Sequence, residues 1–334
     1  MRRRFAVLLF VLTFAGSNVF AQQTANLAER ERWFSGLGFG MFIHWSIDSQ
    51  LGAVISHSLA GADTKYRNKF FDELPKTFNP VRFNPTEWAT LAKLAGMKYV
   101  VFTAKHHSGF CMFRTASTPF NIINTPFKKD ITREVLDAFR EQGIAVGLYF
   151  SPEDFYFLNK TKVPIGRLQH TLHYPVYNPD LMEYDKSQLR ELLTHYGKID
   201  ILFLDGPSEG LKEYCWSLQP DIVVTRGQMT TPEQKIPDAV ILAPWESCLT
   251  MGTDWQYKPT NDLFKSGTEL INTLIETRAK GGNLLLNIGP RPDGTIRNEE
   301  ESLLREIALW NFANSEAIQD VKPAKKTRDG NIWY

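Results

Sequence analysis

Two adjacent histidines, His106 and His107, stand where an apolar run turns polar. The run Tyr99 to Thr103 is β-branched and aromatic, the composition of a buried parallel strand. Lys105, His106, His107, Ser108 and Gly109 follow it. The same pattern recurs at Phe42-Ile-His44-Trp45 and at Ile201-Leu-Phe-Leu-Asp205-Gly206. Strands that deliver polar residues to their C-terminal ends are how a βα barrel builds a site. His-Trp, His-His and Asp-Gly therefore point to one shared pocket.

A lone Asp is more often a helix cap or an ion-pair partner, but the neighbouring strand ends favour a chemical role for Asp205. Glu246 lies in Ala243-Pro-Trp-Glu246-Ser-Cys248, among apolar or neutral residues. Desolvation there raises a carboxyl pKa, so Glu246 is expected to hold a proton near neutrality. An ionised and a protonated carboxyl facing one another across one cavity are the minimum for a retaining glycosidase, which sets them ~5 Å apart. The competing role for Glu246 is a structural contact, and fallback carboxyls are Glu153, Asp154 and Glu209. His44, His106 and His107 with Asp205 would also suit zinc. Adjacent histidines within a strand point to opposite sides, however, and neutral histidines beside Trp45 suit sugar hydroxyls equally well. Arg226 closes another strand, in Val223-Val-Thr-Arg226, where it could orient a carboxylate or a hydroxyl or sit in a rim ion pair.

The elements that must hold these residues alternate. Helices are expected over 24–34, 85–96, 130–142, 179–196, 211–218, 265–279 and 299–312. Strands are expected over 39–45, 99–103, 145–150, 200–205, 221–226, 241–246 and 283–288. Pro85 and Gly96 bracket one helix, and Gly143 and Gly197 close two others. This order predicts a parallel α/β sheet. Its length and polar strand ends predict an irregular (β/α)8 TIM-like barrel over residues 22–316. No GxGxxG or P-loop follows a strand, which removes the usual signals of an open sheet.

The 334 residues carry 38 Lys+Arg against 37 Asp+Glu, a balance that argues against nucleic acid or an anionic membrane as partner. Aromatics reach 13% with eight Trp, which suits stacking on sugar rings or a large aromatic core. Arg2, Arg3 and Arg4 precede an apolar run from Phe5 to Ala15, and Val19-Phe-Ala21 offers a cleavage site. Residues 1–21 thus read as a signal peptide, with export to the periplasm or beyond and no membrane insertion after cleavage. Cys111, Cys215 and Cys248 lack metal-site spacing and read as small buried apolar residues. No cofactor or metal is expected.

The motifs resemble those of glycoside hydrolase family 29, the α-L-fucosidases. The likeness covers roughly Trp33 to Ile318. It rests on Phe39-Gly-Met-Phe-Ile-His-Trp45, Lys105-His-His-Ser-Gly-Phe110, Phe127-Lys-Lys-Asp130, Gly147-Leu-Tyr-Phe-Ser151, Phe203-Leu-Asp-Gly206, Pro244-Trp-Glu-Ser-Cys248, Trp255-Gln-Tyr257 and Gly281 to Pro290. The resemblance implies that Asp205 is the nucleophile and Glu246 the acid/base. It implies that His44, His106 and His107 bind fucose hydroxyls, with Tyr149 beside the nucleophile, Trp45 as a wall and Arg226 supporting the acid/base. Phe42, Phe203 and Trp255 would meet the sugar's methyl group. It implies a fucosylated oligosaccharide or glycoconjugate as substrate.

Four departures stand out. Ser108 replaces an Asp and Phe203 a Trp. The loop Ile55 to Tyr66 lacks the family's Glu-Trp pair, for which His57 and Asp63 are the candidate substitutes. Residues 317–334 would be only the start of the family's C-terminal β-sandwich, a truncated β extension. An α-L-galactoside substrate, a catalytically inactive sugar-binding relative and a metal-dependent hydrolase are the competing expectations.

Overall fold

The computed structural model describes residues 23–166, 170–330 and 332–334. The expected signal peptide lies outside them. Seven parallel strands form one curled sheet: β1 Phe39–Ile43, β2 Tyr99–Lys105, β3 Ala145–Phe150, β4 Ile201–Leu204, β5 Val223–Val224, β6 Glu246–Thr250 and β7 Asn283–Ile288. Their order is β5-β4-β3-β2-β1-β7-β6. Between the two edge strands runs Thr230 to Gln234, whose carbonyls at Thr230 and Pro232 accept from the N–H groups of Glu246 and Cys248, each at 3.1 Å. This segment fills the place of an eighth strand, and the result is an irregular α/β barrel.

Helices α1 Ala28–Leu37, α2 Thr64–Asn68, α3 Pro85–Leu94, α4 Ile131–Glu141, α5 Phe155–Lys160, α6 Pro179–His195, α7 Leu211–Leu218, α8 Gly267–Ala279 and α9 Asn298–Asn314 accompany the sheet. Asp130 caps α4 by accepting from the Arg133 N–H at 3.0 Å, and Ser266 with Glu269 forms a capping box on α8. None of the helices among the described residues is long and apolar enough to cross a membrane.

Strand periodicity sorts the side chains into two cores. Met41, Ile43 and Trp45 belong to the large outer core against the helices, with Trp88, Val100, Phe102, Leu202 and Leu286. Phe42, Tyr99, Val101, Tyr149, Ile201, Phe203 and Leu285 fill the barrel interior, and Phe34 of α1 packs among them from below. Each fully buried Leu, Val or Phe side chain contributes roughly 1.5–3 kcal/mol against exposure. Gly40 is required inside: a Cβ there would lie 2.5 Å from the Tyr99 ring.

One strand was mis-registered by the sequence reading. Ile241 to Glu246 was expected as a strand, but Leu242 is 93% exposed and β6 begins at Glu246. The residue expected at the top of a strand is therefore at its bottom. The tail carries a small antiparallel ladder, β8 Arg328–Asp329 with β9 Ile332–Trp333.

Candidate active site

The C-terminal strand ends converge as a βα barrel requires. His44 follows β1, His106 and His107 follow β2, Asp205 follows β4, Arg226 lies beyond β5 and Trp255 lies beyond β6. All of these but His107 line one pocket with Phe42, Ile55, His57, Tyr149, Phe203, Glu233 and Cys248, about 350 Å³ including the open space at its mouth, and His107 stands beside Asp205. A larger groove lies between α3 and α9, lined by Arg82, Arg291 and Arg305, and no strand-end histidine or Asp205 reaches it.

The turn after β2 is held from behind. The register of β2 against β3 shifts between Thr103 and Lys105, and β2 ends there. Lys105 turns into a fully buried ion cluster, 3.2 Å from Asp154 and 2.8 Å from Asp185. Asp154 also caps α5 by accepting from the Phe157 N–H at 2.8 Å. Gly109 sits at φ +83°, where a Cβ would lie 2.2 Å from Asp154, so glycine is needed for that approach. Because the strand has ended, His106 and His107 no longer alternate, and both reach the site.

Asp205 is surrounded by donors. Tyr149 donates its hydroxyl to Oδ2 at 2.6 Å and Arg226 Nη1 donates to Oδ1 at 2.8 Å. His107 Nε2 stands 3.4 Å from Oδ2. Burial would raise the Asp205 pKa, but His107, Arg226 and Tyr149 outweigh it and hold the carboxyl well below its ordinary range. Asp205 is ionised and oriented, as a nucleophilic carboxylate must be.

The three strand-end histidines differ in protonation. Ser151 donates its hydroxyl to the Glu153 carbonyl at 2.8 Å, so it accepts from the Nδ1–H of His107, while Nε2 faces Asp205. Both nitrogens of His107 thus meet acceptors; burial lowers its pKa, but Asp205 more than compensates and the net shift is upward. Asn287 donates its amide to the Trp255 carbonyl at 2.6 Å, so its oxygen faces His44 Nδ1 at 2.7 Å. His44 therefore carries its proton on Nδ1, and burial pulls its pKa down to about 4. His106 is held well below its ordinary value, chiefly by burial. His107 is thus held toward its charged form, and His44 and His106 toward their neutral forms.

Glu246 is not on the pocket wall. It is fully buried at the start of β6 and accepts from the Tyr99 hydroxyl at 2.6 Å, inside the lower barrel. Burial pushes its pKa up to about 7. The shift expected from its apolar neighbours is present, but no leaving group can reach it. The pair Asp205 and Glu246 thus fails the requirement of facing one another across one cavity. The second carboxyl on the wall is Glu233, which the sequence reading missed. Its Oε2 lies 3.0 Å from both Nη1 and Nη2 of Arg226, and its side chain is 45% exposed. Arg226 also lies over the Phe203 ring, 4.9 Å from its centroid.

Trp45 is a second correction. It shares strand parity with Ile43, packs on Phe78, Phe83 and Trp88, and is fully buried away from the pocket. Its indole N–H donates to the Arg291 carbonyl at 3.1 Å. The fallback carboxyls have other partners or lie outside: Glu153 pairs with His173 at 2.7 Å and stands behind His107, 3.7 Å from its Nδ1, Asp154 pairs with Lys105, and Glu209 is exposed. Asp63 caps α2, accepting from the Tyr66 N–H at 2.7 Å, whereas His57 stands at the pocket rim, its ring centroid 6.0 Å from that of His107.

His106, His107 and Asp205 place one ligand atom each within 4.8 Å of one another, the one such group among the described residues. Their chemistry does not fit a metal. Both His107 nitrogens meet acceptors as N–H donors, and Asp205 already accepts from Tyr149 and Arg226.

A βα barrel whose mouth holds an ionised carboxylate, a second carboxyl and neutral imidazoles in one pocket has the equipment of a glycoside hydrolase. The α-L-fucosidase family matches residues 13–316. The chain is 28% identical to plasma α-L-fucosidase of Rattus norvegicus over 350 residues, covering 90% of this chain and 74% of that one. Among solved structures, α-L-fucosidase isoenzyme 1 of Paenibacillus thiaminolyticus is 30% identical with a TM-score of 0.79, covering 90% and 80% of the two chains. The α-fucosidase of Thermotoga maritima, solved with fucose, is 27% identical with a TM-score of 0.72, covering 88% and 76%. The chain belongs to the α-L-fucosidase family, glycoside hydrolase family 29.

Proposed function

We propose that this protein is an exported, exo-acting, retaining α-L-fucosidase in which Asp205 is the nucleophile and Glu233 the acid/base. The observation that carries this is the single guanidinium shared by the two carboxyl groups. Arg226 Nη1 is 2.8 Å from Asp205 and 3.0 Å from Glu233, so their oxygens can be no farther apart than those two distances combined. That suits the ~5 Å separation of a retaining pair rather than the wider ~6.5–9.5 Å of an inverting one.

In the first step Asp205 Oδ attacks the anomeric carbon as the bond to the leaving oxygen breaks, and Glu233 gives that oxygen its proton. In the second, Glu233 takes a proton from water, the water oxygen bonds to the anomeric carbon, and Asp205 departs as a carboxylate. Tyr149, Arg226 and His107 hold Asp205 before attack and receive its charge again at the end. Phe42, Ile55 and Trp255 give the pocket an apolar side that suits a methyl substituent better than a hydroxymethyl group. The Thermotoga relative solved with fucose supports the same sugar. Export rests on the Arg-rich, apolar and small-residue pattern of residues 1–21.

Proton NMR of the first-formed product from an aryl α-L-fucoside, run beside the aryl α-L-galactoside, tests the proposal. Release of α-fucose supports it. β-Fucose would overturn the retaining mechanism, and cleavage of the galactoside alone would overturn the substrate. Binding without turnover would identify an inactive sugar-binding relative.

A further inference from the structure

The loop after β1 lacks the residue pair expected there, yet it enters the site by another route. Asp48 is fully buried, and its Oδ2 accepts from the Ser56 N–H at 2.6 Å. That bond holds Ser56 at φ +60°, a left-handed conformation that a serine adopts only at some cost. Gln256 steadies the same loop from the β6 side, donating to the Ala53 carbonyl at 2.8 Å. In this posture Ser56 Oγ, itself fully buried, lies 2.9 Å from the Ser108 N–H and 2.8 Å from His106 Nδ1.

Counting protons at Ser56 assigns the ring. The Ser108 N–H donates to Oγ. The Ser56 hydroxyl proton then needs an acceptor, and among the described residues His106 Nδ1 is the one within reach. A proton on Nδ1 would instead aim two donors at Oγ and leave the buried hydroxyl hydrogen with no partner, a costly arrangement. His106 thus accepts at Nδ1 and carries its hydrogen on Nε2. Its ring lies parallel to that of Tyr149 at 5.1 Å and edge-on to His44 at 5.7 Å. His44 has the opposite arrangement, with Nδ1–H donated to Asn287.

We propose that Asp48 and Ser56 are positioning residues that lock His106 as the Nε2–H tautomer, so that His44 and His106 meet the sugar as an acceptor and a donor. A neighbouring acceptor and donor grip one hydroxyl at both ends, or two adjacent hydroxyls with opposite polarity. Two donors or two acceptors would read a hydroxyl pair less selectively. This deepens the fucosidase reading and rests on it for the ligand, but the tautomers themselves are properties of the free protein.

Two measurements test it. Long-range ¹⁵N–¹H correlation on histidine-labelled protein should show His106 as Nε2–H and His44 as Nδ1–H. Finding both rings in the same tautomer would overturn the proposal whatever the substrate proves to be. Ser56→Gly keeps the left-handed turn at no steric cost and removes the hydroxymethyl group; relief of the turn strain offsets part of the cost of leaving the buried Ser108 N–H without its acceptor, so the variant should still fold. Its KM for an aryl fucoside should rise about tenfold with kcat changed less than about twofold, and the His106 signals should lose their Nε2–H pattern. Asp48→Leu should reproduce that loss, and Asp48→Asn, which keeps an acceptor for the Ser56 N–H, should restore most of it. An unchanged KM in Ser56→Gly beside an active wild type would overturn the positioning role. Inactivity of the wild type on fucosides would overturn the substrate reading instead.

Discussion

Asp205 and Glu233 contact the same nitrogen of Arg226, at 2.8 and 3.0 Å. A cation between two carboxyl groups fixes their separation and lets each sense the other's charge. Residues from the ends of β4 and β5 and from the irregular eighth segment thereby become one charged cluster.

The assignment separates two glutamates by leaving-group dependence. Glu233→Ala should slow cleavage of natural fucosides by ~10²–10⁴-fold while sparing activated aryl fucosides, because acid assistance matters only for a poor leaving group. Glu246→Gln should leave that dependence untouched, since the amide oxygen can still accept from Tyr99. Steady-state kinetics across an aryl series decides, and a reversed pattern would return the acid role to Glu246.

His107 and Asp205 should leave opposite marks on stability against pH. The His107 pKa is raised in the fold, so its contribution is complete below its ordinary value of ~6.5 and is lost as pH rises through the higher folded value. The Asp205 pKa is lowered, so its contribution is present above ~3.9 and is lost as pH falls through the lower folded value. Urea unfolding of the wild type should weaken on the alkaline side in a way that His107→Gln does not. Parallel curves for the two proteins would contradict this.

Lys105 acts on the site through structure. Lys105→Met would leave Asp154 and Asp185 buried without their cation, and breaking such a pair costs ~3–5 kcal/mol. Denaturant midpoints should fall accordingly, and adding Asp185→Asn should recover part of the loss. No shift in midpoint would mean that the two carboxyls are protonated without Lys105.

Chelation should not change activity, because the protons and cations already on His107 and Asp205 occupy the donor atoms a metal would need. Activity against fucoside after exhaustive treatment with a chelator, compared with an untreated sample, checks this. A loss restored by zinc would revive the metal-dependent reading.

Most of the barrel was legible because buried parallel strands are apolar runs and their helices carry clear starts and stops. The gathering of His44, His106, His107 and Asp205 at one barrel mouth followed from polar residues closing such runs. Glu246 misled because β6, Glu-Ser-Cys-Leu-Thr, is too polar to announce itself, and the more apolar Ile241 to Trp245 took its place. That five-residue slip turned the base of a strand into its tip. Trp45 was misplaced through neglect of parity: if Phe42 and His44 face inward, Trp45 faces the helices. Glu233 had a faint signal, since any carboxyl soon after the strand end at Arg226 must lie near the barrel mouth. The part of Ser56 had none, because it depends on a left-handed backbone and a buried Asp48 eight residues earlier.

The most direct test is to trap the reaction midway. A 2-deoxy-2-fluoro-α-L-fucosyl fluoride slows both steps by destabilising the oxocarbenium-like transition state, and peptide mapping by mass spectrometry then locates the label. One fucosyl adduct is expected, on Asp205. A label on Glu233 or Glu246, or steady turnover with no adduct and an inverted product, would contradict it.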